Sequence, residues 1–141
     1  MIDEEQWRPV IAEALWWLGQ LAATQGWNPS TNATSAEAIE ASIRYLERAN
    51  KLQEDPRYYG TLANTYMAAR DFQRAYEYAS HTVEIEPEYV EGYRLLGANA
   101  WLLGKIAEAD HAFTEGLKRN PQEPFMLVSL QDLRAGRRPR G

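Results

Sequence analysis

The feature that most restricts this 141-residue chain is that it repeats itself at an offset of 34 residues. Moved by that interval, Tyr59 falls on Tyr93, Leu62 on Leu96, Ala63 on Gly97, Ala75 on Ala109 and Pro87 on Pro121. Small falls on small and proline on proline, at positions that belong to a core or to a boundary. A fixed period of this length marks a chain that stacks one supersecondary unit on the next.

Each unit reads helix, turn, helix. Tyr59, Leu62, Ala63 and Tyr66 lie at i, i+3, i+4 and i+7, one face of a helix. Asp71 can cap a second helix through Ala75, Ala79 and Val83, and Pro87 ends it. The next unit copies this with Tyr93, Leu96, Gly97 and Ala100, a turn at Gly104-Lys105, then Ile106, Ala109, Phe113 and Leu117 before Pro121. Gly97 sits inside the apolar helix YRLLGANAWLLG, where glycine costs roughly 0.5–1 kcal/mol relative to alanine. Its register with Ala63 and Gly19 assigns it to a close approach of two helices, which offsets that cost.

These residues resemble the tetratricopeptide-repeat family, whose 34-residue helix–turn–helix carries an aromatic, a leucine and a small residue, a tyrosine, an alanine, an aromatic and a closing proline. The chain departs from that pattern at Ala100, where the family prefers tyrosine, and at Ala79, where it prefers an aromatic. The resemblance covers residues 56–123 and implies an all-α fold, a helix–turn–helix superhelical array of about seven helices. The expected organisation is a single domain over 1–135: a degenerate repeat over 1–55 with an inserted loop at about 25–34, repeats at 56–89 and 90–123, and a capping helix at 124–135. In the first unit Leu18-Gly19 takes the leucine–small slot, Thr34 and Glu37 have capping-box spacing, and the register of the second helix stays open between Ala41 and Ala38. The basic tail 136–141 is expected to be disordered.

Composition narrows the chemistry. The chain has no cysteine, which removes disulfides and thiolate chemistry, and fits a reducing, cytoplasmic setting. Its net charge of −5 argues against nucleic acid as the main ligand. The last eight residues hold four arginines, so residues 1–133 carry 20 acids against 11 bases. Apolar runs are too short for a membrane span, and the acidic start MIDEEQW does not read as a secretory signal. The sequon at Asn32 matters only in a secreted protein. His81 and His111 read as surface helix positions, with no nucleophile or metal-ligand spacing around them. No catalytic residue, metal or cofactor is expected; the chain reads as a non-enzyme.

Binding is the expected role. In a curved stack the first helices line the concave side. Beside the core stripe of the second unit lie Arg57, Gly60, Asn64 and Met67, and 34 residues on lie Glu91, Arg94, Ala98 and Trp101. The matching frame of the first helix gives Trp16 and Gln20, and the capping helix gives Phe125 and Val128. Such a surface suits a peptide or partner protein with apolar anchors, in a scaffold, assembly-factor or chaperone-like role. Against this, Trp101 can simply cover the capping helix near Phe125, and Glu91 and Arg94 can satisfy each other. Some co-chaperone members of the family clamp an acidic chaperone tail with two lysines, two asparagines and an arginine. The corresponding positions here are Trp16, Gln20, Thr61, Glu91 and Leu95, so the resemblance disfavours that clamp. The rival reading is self-assembly through the region holding Trp7, Trp16, Trp17 and Trp27, or through the capping face. The oligomeric state expected is monomer or weak homo-oligomer.

Overall fold

The computed structural model describes residues 3–139, apart from the side chain of Glu4. Seven helices are present among them: α1 (Glu4–Gln25), α2 (Ala36–Leu52), α3 (Pro56–Ala68), α4 (Phe72–Ile85), α5 (Val90–Leu102), α6 (Ile106–Arg119) and α7 (Pro124–Arg134). The fold is all-α, a helical-repeat array. Residues 27–34, expected as loop, hold a two-residue antiparallel hairpin, β1 (Trp27–Asn28) with β2 (Ala33–Thr34). Asn32 makes its turn at φ +52°, a left-handed conformation that asparagine tolerates better than most residues.

Local chemistry sets the boundaries. Asp55 and Asp71 cap α3 and α4, accepting from the backbone N–H of Arg57 at 2.8 Å and of Arg74 at 3.2 Å. Pro56 and Pro124 open their helices at the first turn, where an N–H would lack an intrahelical partner anyway. The expected cap at Thr34 is corrected: Thr34 pairs with Trp27 in the hairpin, and Ser35 caps α2 by accepting from Ala38 N at 3.2 Å.

One C-terminal device recurs three times. Arg70, Gly104 and Gly136 stand at φ +63°, +79° and +74° just past α3, α5 and α7. In each case the following N–H reaches five residues back: Asp71 to Tyr66, Lys105 to Ala100, Arg137 to Asp132, at 2.8–2.9 Å. This is the Schellman closure of a helix, which favours glycine at the left-handed residue. After α7 it turns the chain back. Residues 136–139, expected to be disordered, therefore lie in a defined turn, and Arg137 Nη1 donates to Asp132 Oδ1 at 2.8 Å. Arg140 and Gly141 of that tail, and Met1 and Ile2 at the start, lie outside the described residues.

The helices pack in pairs, α1 on α2, α3 on α4 and α5 on α6, and α7 closes on α6. Gly97 marks the closest approach within the third pair. A Cβ there would stand 2.6 Å from Cδ1 and 2.8 Å from Cζ of Phe113, a fully buried ring of α6. Gly19 has the same role against Leu46 of α2, with Cγ at 2.8 Å. In the second pair Ala63 and Ala79 are both fully buried in one cluster with Leu95. There the partner residue is small, so the helix itself can carry a Cβ. The core stripe of α3 is turned slightly from expectation. Leu62, Ala63 and Tyr66 are buried, but so is Tyr58, against Ala12, Leu15 and Ala49, while Tyr59 is half-buried.

Candidate functional site

The helices α1, α3, α5 and α7 succeed one another along one side of the array. Two distinct places are built there.

At the end near α1, Arg57 is held between Glu13 and Asp55. Its Nη2 donates to Glu13 Oε2 and Asp55 Oδ2, each at 2.9 Å, and the Tyr58 hydroxyl donates to the same Glu13 oxygen at 2.9 Å. Arg57, through its hydrogen bonds, and then Tyr58 hold the Glu13 carboxyl below its ordinary value. Burial works against ionisation of Asp55, but hydrogen bonds from Arg57 outweigh it and its carboxyl is also lowered. Burial and the bond to Glu13 push the Tyr58 phenol up to about 12. Trp16 joins this cluster: the Arg57 guanidinium lies 4.7 Å from its ring centroid, and its Nε1 donates to Thr61 Oγ1 at 2.9 Å. Gln20, one turn on, is half-buried, and its Nε2 is buried with no partner among the described residues. Arg57 is thus a committed ion-pair residue rather than a free cation.

At the end near α7 lies a cleft of about 410 Å³ lined by Met67, Arg94, Ala98, Trp101, Phe125 and Val128. The structure therefore brings together five of the ten residues expected in the groove: Met67, Arg94, Ala98, Trp101 and Phe125. Trp16, Gln20 and Arg57 belong to the other end. Asn64 is exposed on α3 one turn before Met67. Glu91 stands beside the cleft, and its carboxylate accepts from Arg94, with Nε at 2.9 Å from Oε2. This pairing holds Arg94 above its ordinary value against the opposing effect of burial. The guanidinium so positioned lies 5.3 Å from the Phe125 ring centroid.

Trp101 needs a correction of role. It is 6% exposed, edge-on to Phe113 with centroids 6.3 Å apart, so it forms the floor of the cleft instead of projecting from it. The exposed aromatic is Phe125, which also leans edge-on against Phe113 at 6.2 Å. Sequence reasoning missed Leu102, Pro124, Ser129, Asp132 and Pro139 in this lining. Leu102 follows Trp101 directly and a stripe at i, i+3 and i+4 passes over it. Pro139 is there only because Gly136 reverses the chain, and Gly136 was the available signal.

The carboxylate-clamp positions other than Gln20 are otherwise engaged. Leu95 is buried, Thr61 accepts from Trp16, and Glu91 faces Arg94. Among the described residues no cluster of three or more His, Asp or Glu is placed to hold a metal ion, and no helix is long and apolar enough to cross a membrane.

No protein-family profile matches the chain. Two curated proteins are similar in sequence. A heat shock protein sti1 homologue of Schizosaccharomyces pombe is 27% identical over 104 residues, which is 73% of this chain and 18% of that protein. A TPR repeat-containing protein of Pseudomonas aeruginosa is 38% identical over 56 residues, 40% of this chain and 53% of that protein. The chain thus matches under a fifth of one relative and about half of the other. Among solved structures, the TPR domain of Arabidopsis OM64 superposes with a TM-score of 0.80 at 20% identity, covering 92% of this chain and 98% of that one. The first TPR of Spaghetti (RPAP3), bound to the HSP90 peptide SRMEEVD, gives 0.80 at 18% identity over 90% and 93%. The TPR domain of Aspergillus fumigatus Sgt2 gives 0.77 at 17% identity over 89% and 78%. The chain therefore has the tetratricopeptide-repeat fold, three helical pairs closed by a terminal helix.

Proposed function

We propose that the chain is a non-catalytic protein-interaction module that takes a peptide or partner segment into the concave cleft between α3, α5 and α7. The observation that carries this reading is the cleft itself. An apolar floor (Trp101, Ala98), an exposed aromatic wall (Phe125, Val128), the adaptable thioether of Met67 and one oriented guanidinium (Arg94) meet in about 410 Å³. That combination fits an apolar anchor side chain with a carbonyl or carboxylate beside it. The RPAP3 domain of the same fold is described as binding an HSP90 peptide. A role among chaperone-associated proteins is consistent with that, but through anchor burial, because Trp16, Gln20, Thr61, Glu91 and Leu95 offer no cationic clamp. Selection of random decapeptides against the full chain tests it. Enriched sequences should share an apolar anchor, and both Phe125→Ala and Arg94→Ala should weaken them about tenfold, the loss of one well-placed contact. Unchanged binding by both variants refutes the cleft.

A second reading has its own observation. The outer face of α1 shows Trp7, Val10, Ile11, Trp17, Leu18 and Leu21, all substantially exposed and on one helical stripe. Terminal units of a repeat array need a polar outer face, and this one is apolar. Pairing of α1 with α1 of a second copy would bury it. Sedimentation over a range of concentrations decides this: the paired Trp17→Glu, Leu21→Glu variant should be monomeric where the parent associates, and a parent monomeric throughout excludes the reading.

A further inference from the structure

A furrow of about 710 Å³ lies between α2 and α4 over α3, away from the concave cleft. Three tyrosine rings meet in it. Tyr66 and Tyr78 stack 5.5 Å apart at 10°, and Tyr59 lies 6.1 Å from Tyr78. The repeat register makes this unusual within the chain, because 34 residues on from Tyr66 and Tyr78 stand Ala100 and Ala112. Carboxylates flank the rings. Glu47 of α2 accepts from the Tyr66 hydroxyl at 2.8 Å, and Glu77 of α4 lines the same furrow. The space continues into a second opening bounded by Glu47, Tyr59 and Tyr78, where both side-chain amide atoms of Asn50 are buried without a partner.

The cations nearby are mostly engaged. Arg74 lines the furrow, 3.5 Å from Asp71, with its guanidinium over the Tyr66 ring, 5.8 Å from the centroid. His81 lies edge-on to Tyr59 at 4.4 Å, between Glu54 at 3.4 Å and Glu84 at 3.7 Å. Lys51 stands at the second opening. Among the described residues no lysine or arginine sits over Tyr59 or Tyr78. Burial raises both phenols above their ordinary value, so the rings stay neutral.

The next unit shows what a tyrosine flanked by carboxylates holds in this protein. The Arg119 guanidinium lies 4.6 Å from the Tyr93 centroid, with Nη1 3.1 Å from Glu115 and Nε 3.5 Å from Glu88. Tyr93 and Glu88 are the equivalents of Tyr59 and Glu54, but the equivalent of Arg119 is Ile85. The chain fills the seat at Tyr93 with its own arginine, whereas at Tyr59 it places the His81 ring at 4.4 Å and supplies no arginine.

We propose that the furrow is a second binding site, which takes an arginine side chain from a partner peptide, its guanidinium laid on Tyr59 and Tyr78 and paired with Glu47. The face of a tyrosine ring attracts a cation, and a weakly hydrated planar guanidinium stacks there better than an ammonium. The acidic body of the chain favours a basic partner over long range. The site shares only α3 with the concave cleft, through Tyr59 and Tyr66 instead of Met67, and no lining residue is common to both, so either can fail while the other stands.

The test is a nitrogen-15 NMR titration of the full chain with the probe acetyl-Gly-Arg-Gly-Arg-Gly-amide at physiological salt. Saturable shifts are expected at Glu47, Tyr59, Tyr66 and Tyr78. Glu47→Gln and Tyr78→Leu, each checked for native helicity, should weaken the probe at least about fivefold, and the lysine version of the probe should bind about threefold or more less tightly. Glu37→Gln, an exposed acid in the first turn of α2, should change little. Because Glu47→Gln is isosteric and keeps an acceptor for Tyr66, it stands even if Tyr78→Leu fails to fold. Shifts confined to the concave cleft, equal binding of the lysine probe, or equal losses in Glu47→Gln and Glu37→Gln overturn the proposal.

Discussion

Gly97→Ala is a one-methyl perturbation whose sign follows from the packing. On helix propensity alone the change should stabilise α5 by about 0.5–1 kcal/mol. The structure opposes it. The new Cβ would come within 2.6 Å of Phe113 Cδ1, inside any real contact distance. Phe113 is fully buried and its ring is fixed edge-on by Trp101 and Phe125, so it has little room to yield. Overpacking of this kind costs about 1–3 kcal/mol, which outweighs the propensity gain and leaves a net loss of about 1–2 kcal/mol. Gly60→Ala is the control, in the same kind of helix. Its Cβ would meet Tyr89 Cε1 at 3.5 Å, ordinary contact, so the propensity gain should appear undiminished. Thermal unfolding followed by circular dichroism should place the two variants on opposite sides of the parent, roughly 5–10 °C apart. Combining Gly97→Ala with Phe113→Leu should cost about 1 kcal/mol less than the sum of the single changes, because the leucine frees the space. A Gly97→Ala protein as stable as the parent, or more so, refutes the close-approach account of this glycine.

Arg70→Gly should stabilise by up to about 1 kcal/mol: Arg70 holds the left-handed position that Gly104 and Gly136 hold elsewhere, and glycine's larger unfolded-state entropy takes back only part of the relief; urea unfolding reads it. Acid should erase the effect of Arg57→Met. Glu13 and Asp55 have lowered values in the folded state, so their contribution is present above the ordinary carboxylate range and is lost as pH falls through the folded values. The difference in urea midpoint between parent and variant should therefore be largest near neutrality and vanish by about pH 2, and a difference that persists in acid contradicts the assignment. Asn99→Thr should cost less than about 1 kcal/mol, because Thr65 in the preceding unit already makes the bond to the carbonyl four residues back that Asn99 makes to Leu95; a larger loss by thermal unfolding would show that the amide does more.

How much of this was legible in the sequence varies by residue. The period of 34 places Gly97 and Ala63 in one register without any coordinates, and the Leu18-Gly19 pair adds Gly19 once the inserted loop of the first unit is allowed for, because a repeated unit must solve the same packing problem each time. It does not say which partner is large. Phe113 against Gly97 and Ala79 against Ala63 are complementary choices visible only in pairs. The groove residues were legible as a stripe, since helical geometry fixes which residues share a face, but not as a site. Trp101 on that stripe is buried because Phe113 and α7 close over it, and Arg57 is withdrawn into an ion-pair cluster by Glu13, 44 residues away.

The sequence by itself determined the repeating helical pairs, the cap at Asp71, the proline boundaries and the exclusion of thiol chemistry. These depend on local spacing, on backbone conformation and on composition. Tertiary structure alone decided that Pro139 returns to the concave cleft, that the outer face of α1 stays uncovered among the described residues, and that Tyr59, Tyr66 and Tyr78 form one furrow. Each of those depends on how helices distant in sequence are oriented against one another, and periodicity constrains a residue's face without fixing what that face meets.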